Sequence, residues 1–266
     1  MLKNHPVVRI AAIISVFFVI AITASSASAQ ITVAGSTGTA NGVYASFTNA
    51  GGAFAALNTA GSHNPADVIT ISITADVLTE AGTNALNAGT WASITVTPTG
   101  ARTISGTTGA VAPLVLIDFN GADNVTIDGL NSGGNTLTIA NLSTSAVSIT
   151  STIRFIGGAT SNTITNSNIQ GSGTMSVATN GAVIFFSTDA VTANGNDNNT
   201  ISNNNIGPAG ANLPTKGILC NGSTGALTGN NGLIINNNNI FDYYGAAVTS
   251  AGMAVNGGCA NFSITN

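Results

Sequence analysis

Asp118, Asp123 and Asp128 stand close together in the chain, and Asp189 closes a later apolar run. Glycoside hydrolysis needs two carboxyl groups, one protonated and one ionised, facing a single bond. Asp118, Asp123 and Asp189 are therefore the acids to test if the protein is an enzyme. The pattern lacks the rest of such a site: there is no Asp-Asp pair, and His63 lies before the repeats described below. No residue is assigned as catalytic. The spacing Asp118-x-Asn120-x-x-Asp123 offers oxygen ligands of the kind calcium takes, although it lacks the EF-hand spacing and closing Glu. Asp and Asn beside Gly121 are equally ordinary turn residues. No cofactor is expected, and calcium at Asp118, Asn120 and Asp123 is the metal site the residues allow.

The elements that would position these side chains repeat. Asn162-Thr-Ile-Thr-Asn-Ser-Asn-Ile169 recurs as Asn199-Thr-Ile-Ser-Asn-Asn-Asn-Ile206 and as Leu233-Ile-Ile-Asn-Asn-Asn-Asn-Ile240; Val125-Thr-Ile-Asp-Gly-Leu130 is an earlier variant. Each copy places two apolar residues five apart around a polar segment, and such self-similarity marks a solenoid. Gly129 occupies the position of Asn168, Asn205 and Asn239. Gly and Asn tolerate positive φ, so a bend between two short strands is expected there. Asn166, Asn168, Asn203, Asn205, Asn237 and Asn239 form columns. An amide array for sugars is one reading. A ladder bonding neighbouring coils is the other, and regular spacing in an apolar frame favours it.

An apolar triplet precedes each phrase: Ile117-Asp118-Phe119, Ile153-Arg154-Phe155, Val183-Ile184-Phe185, Ile218-Leu219-Cys220 and Met253-Ala254-Val255. Outer members are apolar, so they are expected to point inward and the middle member outward. Asp118 and Arg154, the basic residue expected on a repeat strand, then sit about one strand spacing (~4.8 Å) apart. The Asp118–Arg154 pair is read as a structural ion pair contributing a few tenths of a kcal/mol. Outward loops are expected at 131–150, 170–181, 189–198 and 207–216. Thr95/Thr97, Thr136/Thr138 and Thr163/Thr165 hint at the flat arrays that bind ice, but they do not share one register along the sequence. Trp91, Tyr243 and Tyr244 could stack on sugars, yet are scattered. Upstream, Phe47, Ala50, Phe54 and Leu57 mark a short helix at about 46–60, placed to cover the open end of the coils.

Lys3 and Arg9, an apolar run from Ile10 to about Ala24, and Ala27-x-Ala29 make a secretory signal over residues 1–29. Residues 30–266 then form one domain with three basic and nine acidic residues, a formal charge of 3 − 9 = −6. That excludes nucleic acid as a partner, and no membrane contact is expected after cleavage. Cys220 and Cys259 could bond in an oxidising compartment or remain buried thiols. The chain stops on Ile264-Thr265-Asn266, inside a coil, so a truncated product is expected.

The Asn-x-Ile phrases, the leading helix and the signal resemble right-handed parallel β-helix proteins of the pectin-lyase-like superfamily. The run from Leu116 to Leu130, with Ala53 to Asn58 and Ser151 to Phe155, is similar to the opening of large exported bacterial surface proteins. The resemblance implies an all-β fold, a right-handed parallel β-helix (solenoid) with a short N-terminal capping helix. It also implies a secreted or cell-surface protein, non-catalytic and adhesive, or contacting carbohydrate or other cell-surface components. The alternative is a polysaccharide lyase or glycoside hydrolase of that superfamily. Its lyases pair a basic proton abstractor with calcium-binding aspartates, and its hydrolases cluster aspartates with nearby His and basic residues. Here only Arg154 suggests the first arrangement, and the second is lacking.

Overall fold

The computed structural model describes residues 30–176, 178–187, 194–223 and 228–266; the signal segment lies outside them. Among the described residues no helix is long and apolar enough to cross a membrane. Strands Val68–Ile73, Ser93–Pro98, Val125–Asp128, Thr163–Thr165, Thr200–Ser202, Ile234–Asn236 and Ser263–Thr265 stack in parallel as a first sheet. Ile31–Ala34 and Gly42–Tyr44 extend it antiparallel. Ala101–Gly106, Thr136–Asn141, Asn168–Gly171, Asn205–Pro208 and Asn239–Ile240 form a second sheet. Leu86–Asn87, Val115–Asn120, Ser151–Ile156, Ile184–Phe186, Lys216–Cys220 and Ala251–Val255 form a third. From Ser93 onward the chain visits first, second and third sheets in turn, completing a parallel β-helix of about five turns.

The lumen explains why these short segments hold. Strand alternation turns at least one branched residue of each rung inward, and three in Val68–Ile73. The first sheet stacks Ile71, Val96, Ile127, Ile164, Ile201 and Ile235, with Ile264 following them half-exposed. The second stacks Ile104, Ile139, Ile169, Ile206 and Ile240. Burying each such side chain fully contributes about 1.5–3 kcal/mol, and β-branching suits the pleated surface. The third sheet adds rings: Phe119 lies 5.3 Å from Phe155, and Phe155 stacks on Phe186 at 4.5 Å.

That stack corrects one register. The rung is Ile184-Phe185-Phe186, with Ile153 facing Ile184 and Phe155 facing Phe186, not Val183-Ile184-Phe185. Both readings put apolar residues inward; only ring-on-ring packing separates them. The helix is also shorter than expected, Ala53–Leu57, because the chain turns with Gly51 at φ 73° and Ala50 is exposed. Phe47, Phe54 and Leu57 nevertheless join the lumen core. The segment 131–150 is not one loop, since it contains the second-sheet strand Thr136–Asn141. Gln170–Gly171 and Gly207–Pro208 likewise end strands.

The bends lie elsewhere than the Gly129/Asn168 column. Positive φ falls at Asn166, Asn203 and Asn237, two residues earlier, while Asn168, Asn205 and Asn239 already begin second-sheet strands. Gly129 is needed for closeness: a Cβ there would lie 2.2 Å from the Asn166 carbonyl oxygen.

Cys220, fully buried, is bonded to Cys259 across 39 residues, tying one third-sheet strand to the corner of the next coil. In the chain-entropy description a loop of this size contributes about 4 kcal/mol. Reduction is therefore expected to lower the melting temperature and to speed amide exchange in Ile234–Asn236 and Ser263–Thr265 while Val68–Ile73 stays protected. Unchanged exchange in both regions would mean that the bridge adds nothing to these coils.

Candidate functional site

Asp118 and Arg154 are partners on adjacent third-sheet strands. Arg154 Nε donates to Asp118 Oδ1 at 2.9 Å and Nη2 to Oδ2 at 2.6 Å, a two-pronged contact. Their side chains are only 13% and 8% exposed, so this is not the solvent-screened pair the sequence suggested. The outward middle column explains the shielding. It continues into Phe185 and Leu219, which are fully buried with Ala182 beneath a layer that includes Ile149. The outer face of the third sheet is thus a second, smaller core.

Asp123 faces a different partner. Its Oδ1 accepts from Thr160 N at 2.6 Å and Thr160 Oγ1 at 2.9 Å, while its carbonyl accepts from Trp91 Nε1 at 2.7 Å. Asn120 Nδ2 donates to Asn87 Oδ1. The three calcium candidates are thus engaged by Arg154, Asn87 and Thr160, not turned toward a common point. Among the described residues no three His, Cys, Asp or Glu side chains gather as metal ligands. Asp189 lies outside the described residues. Asp128 accepts from Leu130 N and Asn166 Nδ2, each at 2.8 Å.

Arg154 is not the only basic residue on a repeat strand. Lys216 begins Lys216–Cys220 and Arg102 lies in Ala101–Gly106. Lys216 was missed because a lysine beside Pro214 reads as loop. It is fully buried, and its Nζ donates to the carbonyls of Ser176, at 2.8 Å, and Thr179. Desolvation by burial pulls its pKa down to about 8. Near the first coil, burial raises the Asp67 carboxyl, but hydrogen bonds from Thr37 and Asn64 outweigh this and hold it below the usual range.

The asparagines divide into three sets. Outward, Asn205 Nδ2 donates to Asn168 Oδ1 at 3.0 Å and Asn239 Nδ2 to Asn205 Oδ1 at 3.3 Å. At the bend, Asn237 Nδ2 donates to Asn203 Oδ1 at 2.6 Å. The buried ladders use neighbours the sequence reading passed over. Asn199 Oδ1 accepts from Asn162 N and its Nδ2 donates to Ala159 O, each 2.9 Å, and Asn204 bridges Ser167 N and Ile164 O. The threonine pairs need a second correction. Thr95/Thr97 and Thr163/Thr165 do lie in common columns of the first sheet, and only Thr136/Thr138 belongs to another.

Trp91 is buried against His63, whereas Tyr244 is 61% exposed. Tyr244 edges an open groove of about 490 Å³ between outward loops, with Thr174, Asn212, Leu213 and Val248. No known family model, curated protein or solved structure matches the chain.

Two outcomes follow. Arg154→Ala strands a largely buried carboxylate and is expected to cost about 3 kcal/mol in denaturant unfolding, whereas Asp118→Leu with Arg154→Met recovers most of it. A loss under about 0.5 kcal/mol would return the pair to the surface class. For Lys216 the folded pKa lies below the unfolded value, so between pH 8 and 10.5 the unfolded chain holds the extra proton. Its contribution to stability therefore rises with pH through that window. Melting of the wild type and Lys216→Met at pH 7.5 and 10 checks this; the gap between them should shift in the wild type's favour at pH 10.

Proposed function

We propose that this protein is an exported, non-catalytic β-helix of the pectin-lyase-like kind, serving at the cell surface as a scaffold that contacts neutral carbohydrate. The carrying observation is how its acids are spent. Of the catalytic candidates described, Asp118 is held at both oxygens by Arg154 and Asp123 is bonded through Oδ1 to Thr160, so the two acids are committed to different protein partners. Both glycosidase geometries need two acids flanking one linkage. The groove beside Tyr244 supports contact with sugar: an exposed ring, amide and hydroxyl side chains, and no carboxylate among its described lining residues. An aromatic face with a polar tip suits a sugar ring. The Cys220–Cys259 bond and the signal-like start support export, because disulfides persist in oxidising compartments.

The test is a panel of plant, algal and bacterial polysaccharides, scored for binding and for release of reducing ends or unsaturated products, with and without calcium. Binding to at least one neutral glycan, lost in Tyr244→Ala, is expected without product. Product from any glycan that disappears in Asp118→Asn would replace the proposal with a lyase or hydrolase.

A further inference from the structure

Side chains pointing outward from the first sheet form two columns. In one, Thr70, Thr95, Thr126, Thr163 and Thr200 pair strand to strand, followed by Ile234 and Ser263. In the other, Ser72 faces Thr97, and Asp128, Thr165, Ser202, Asn236 and Thr265 follow one another. The intervals between successive threonines of the first column are 25, 31, 37 and 37 residues, which hides the alignment in the sequence. Coiling removes the difference, because the extra residues leave as loops from other faces.

Polar groups at the corners of the coils are paired, but this column is not. The five threonine hydroxyls have no hydrogen-bond partner among the described residues. Thr70 is exposed and the others are half-buried by their neighbours in the column. Rungs recur at about 4.8 Å, and the two columns stand about 6.7 Å apart, twice the rise of a strand residue. Threonine is stiff at χ1, so the array is ordered before any ligand arrives.

The face is also locked at both edges. Asn124, Ser161, Asn198, Gly232 and Asn261 all turn with positive φ just before the strand, and Asn166, Asn203 and Asn237 just after it. Buried Asn162 and Asn199 on one side, and Asn204 on the other, tie each rung to the next coil. Side-chain ladders of this sort hold a many-stranded sheet against twist.

Charge decides which partner fits. The sole ionised residue of the two columns is Asp128, already engaged by Leu130 and Asn166, in a chain that is otherwise net negative. Neither column carries an aromatic ring on which a sugar could stack. A face with one carboxylate, unspent hydroxyls along its first column and adjacent methyl groups at fixed intervals complements a neutral lattice of donors and acceptors repeating on the same scale. We infer that the first sheet is an ice-binding face centred on Thr95, Thr126 and Thr163. Each hydroxyl enters the lattice as donor and acceptor, and each methyl fills the gap beside it. This does not depend on the carbohydrate reading, whose groove lies on the outward loops.

Growth of single ice crystals in the purified protein, with the gap between melting and growth temperatures, tests the inference. The wild type should give faceted crystals and a measurable gap. Thr126→Tyr and Thr163→Tyr should lose both with unchanged melting temperature and circular dichroism, while Thr138→Tyr, on the second sheet, keeps them. If a tyrosine disturbs the sheet, Thr126→Ala with Thr163→Ala removes hydroxyls and methyls without added bulk and should show the same loss. Rounded growth by the folded wild type overturns the inference, as does faceting retained in the folded face variants. Binding to crystalline cellulose or chitin through these threonines, with ice unfaceted, would overturn ice as the ligand and leave the Tyr244 reading to its own assay.

Discussion

Buried side-chain amides that bridge one coil to the next are what the rest of this structure depends on. Short strands of two to six residues cannot hold register by backbone pairing alone, and their corners expose backbone groups that no strand satisfies. Asn162 and Asn199, both fully buried, each accept from one main-chain N–H and donate to a carbonyl of an earlier coil. Asn196 and Asn230 repeat the accepting half of the device at the third-sheet corner, taking the N–H of Ala159 and of Asn196. A buried amide without such partners would cost about 1–3 kcal/mol, so a slip by one residue would penalise every corner at once.

With the corners fixed, the isoleucine columns can stack and the outer faces are free to diverge. The third sheet covers its outer column with loops, which turns Asp118 and Arg154 from surface charges into a largely shielded pair and buries Phe185 and Leu219. The first sheet leaves its outer columns open. One scaffold thereby carries both an inward-looking polar economy, where Glu80 satisfies Phe47, Thr48 and its hydroxyl, and an outward column of threonine hydroxyls, Thr70 to Thr200, with no hydrogen-bond partner among the described residues.

Much of this was legible. Recurrence of the Asn-x-Ile phrase and of the apolar triplets points to stacked parallel strands, and the Asp118–Arg154 contact follows from aligning two triplets. The site was less legible. Asn166 and Asn168 are indistinguishable by type, yet one makes the bend and the other opens a strand. Lys216 reads as loop, and its burial, which lowers its pKa to about 8, is seen only in the fold.

Sequence alone determined the class of fold, because a two-residue alternation with β-branched side chains can bury its apolar half only in a sheet, and repetition forces that sheet to stack on itself. Tertiary structure decided which residues meet. Coil lengths vary with the loops they carry, so intervals of 25, 31 and 37 residues all place threonine over threonine. The shift of the Phe186 rung likewise depends on ring packing between coils. Register between coils is set by contacts across some thirty residues, and no local pattern contains them.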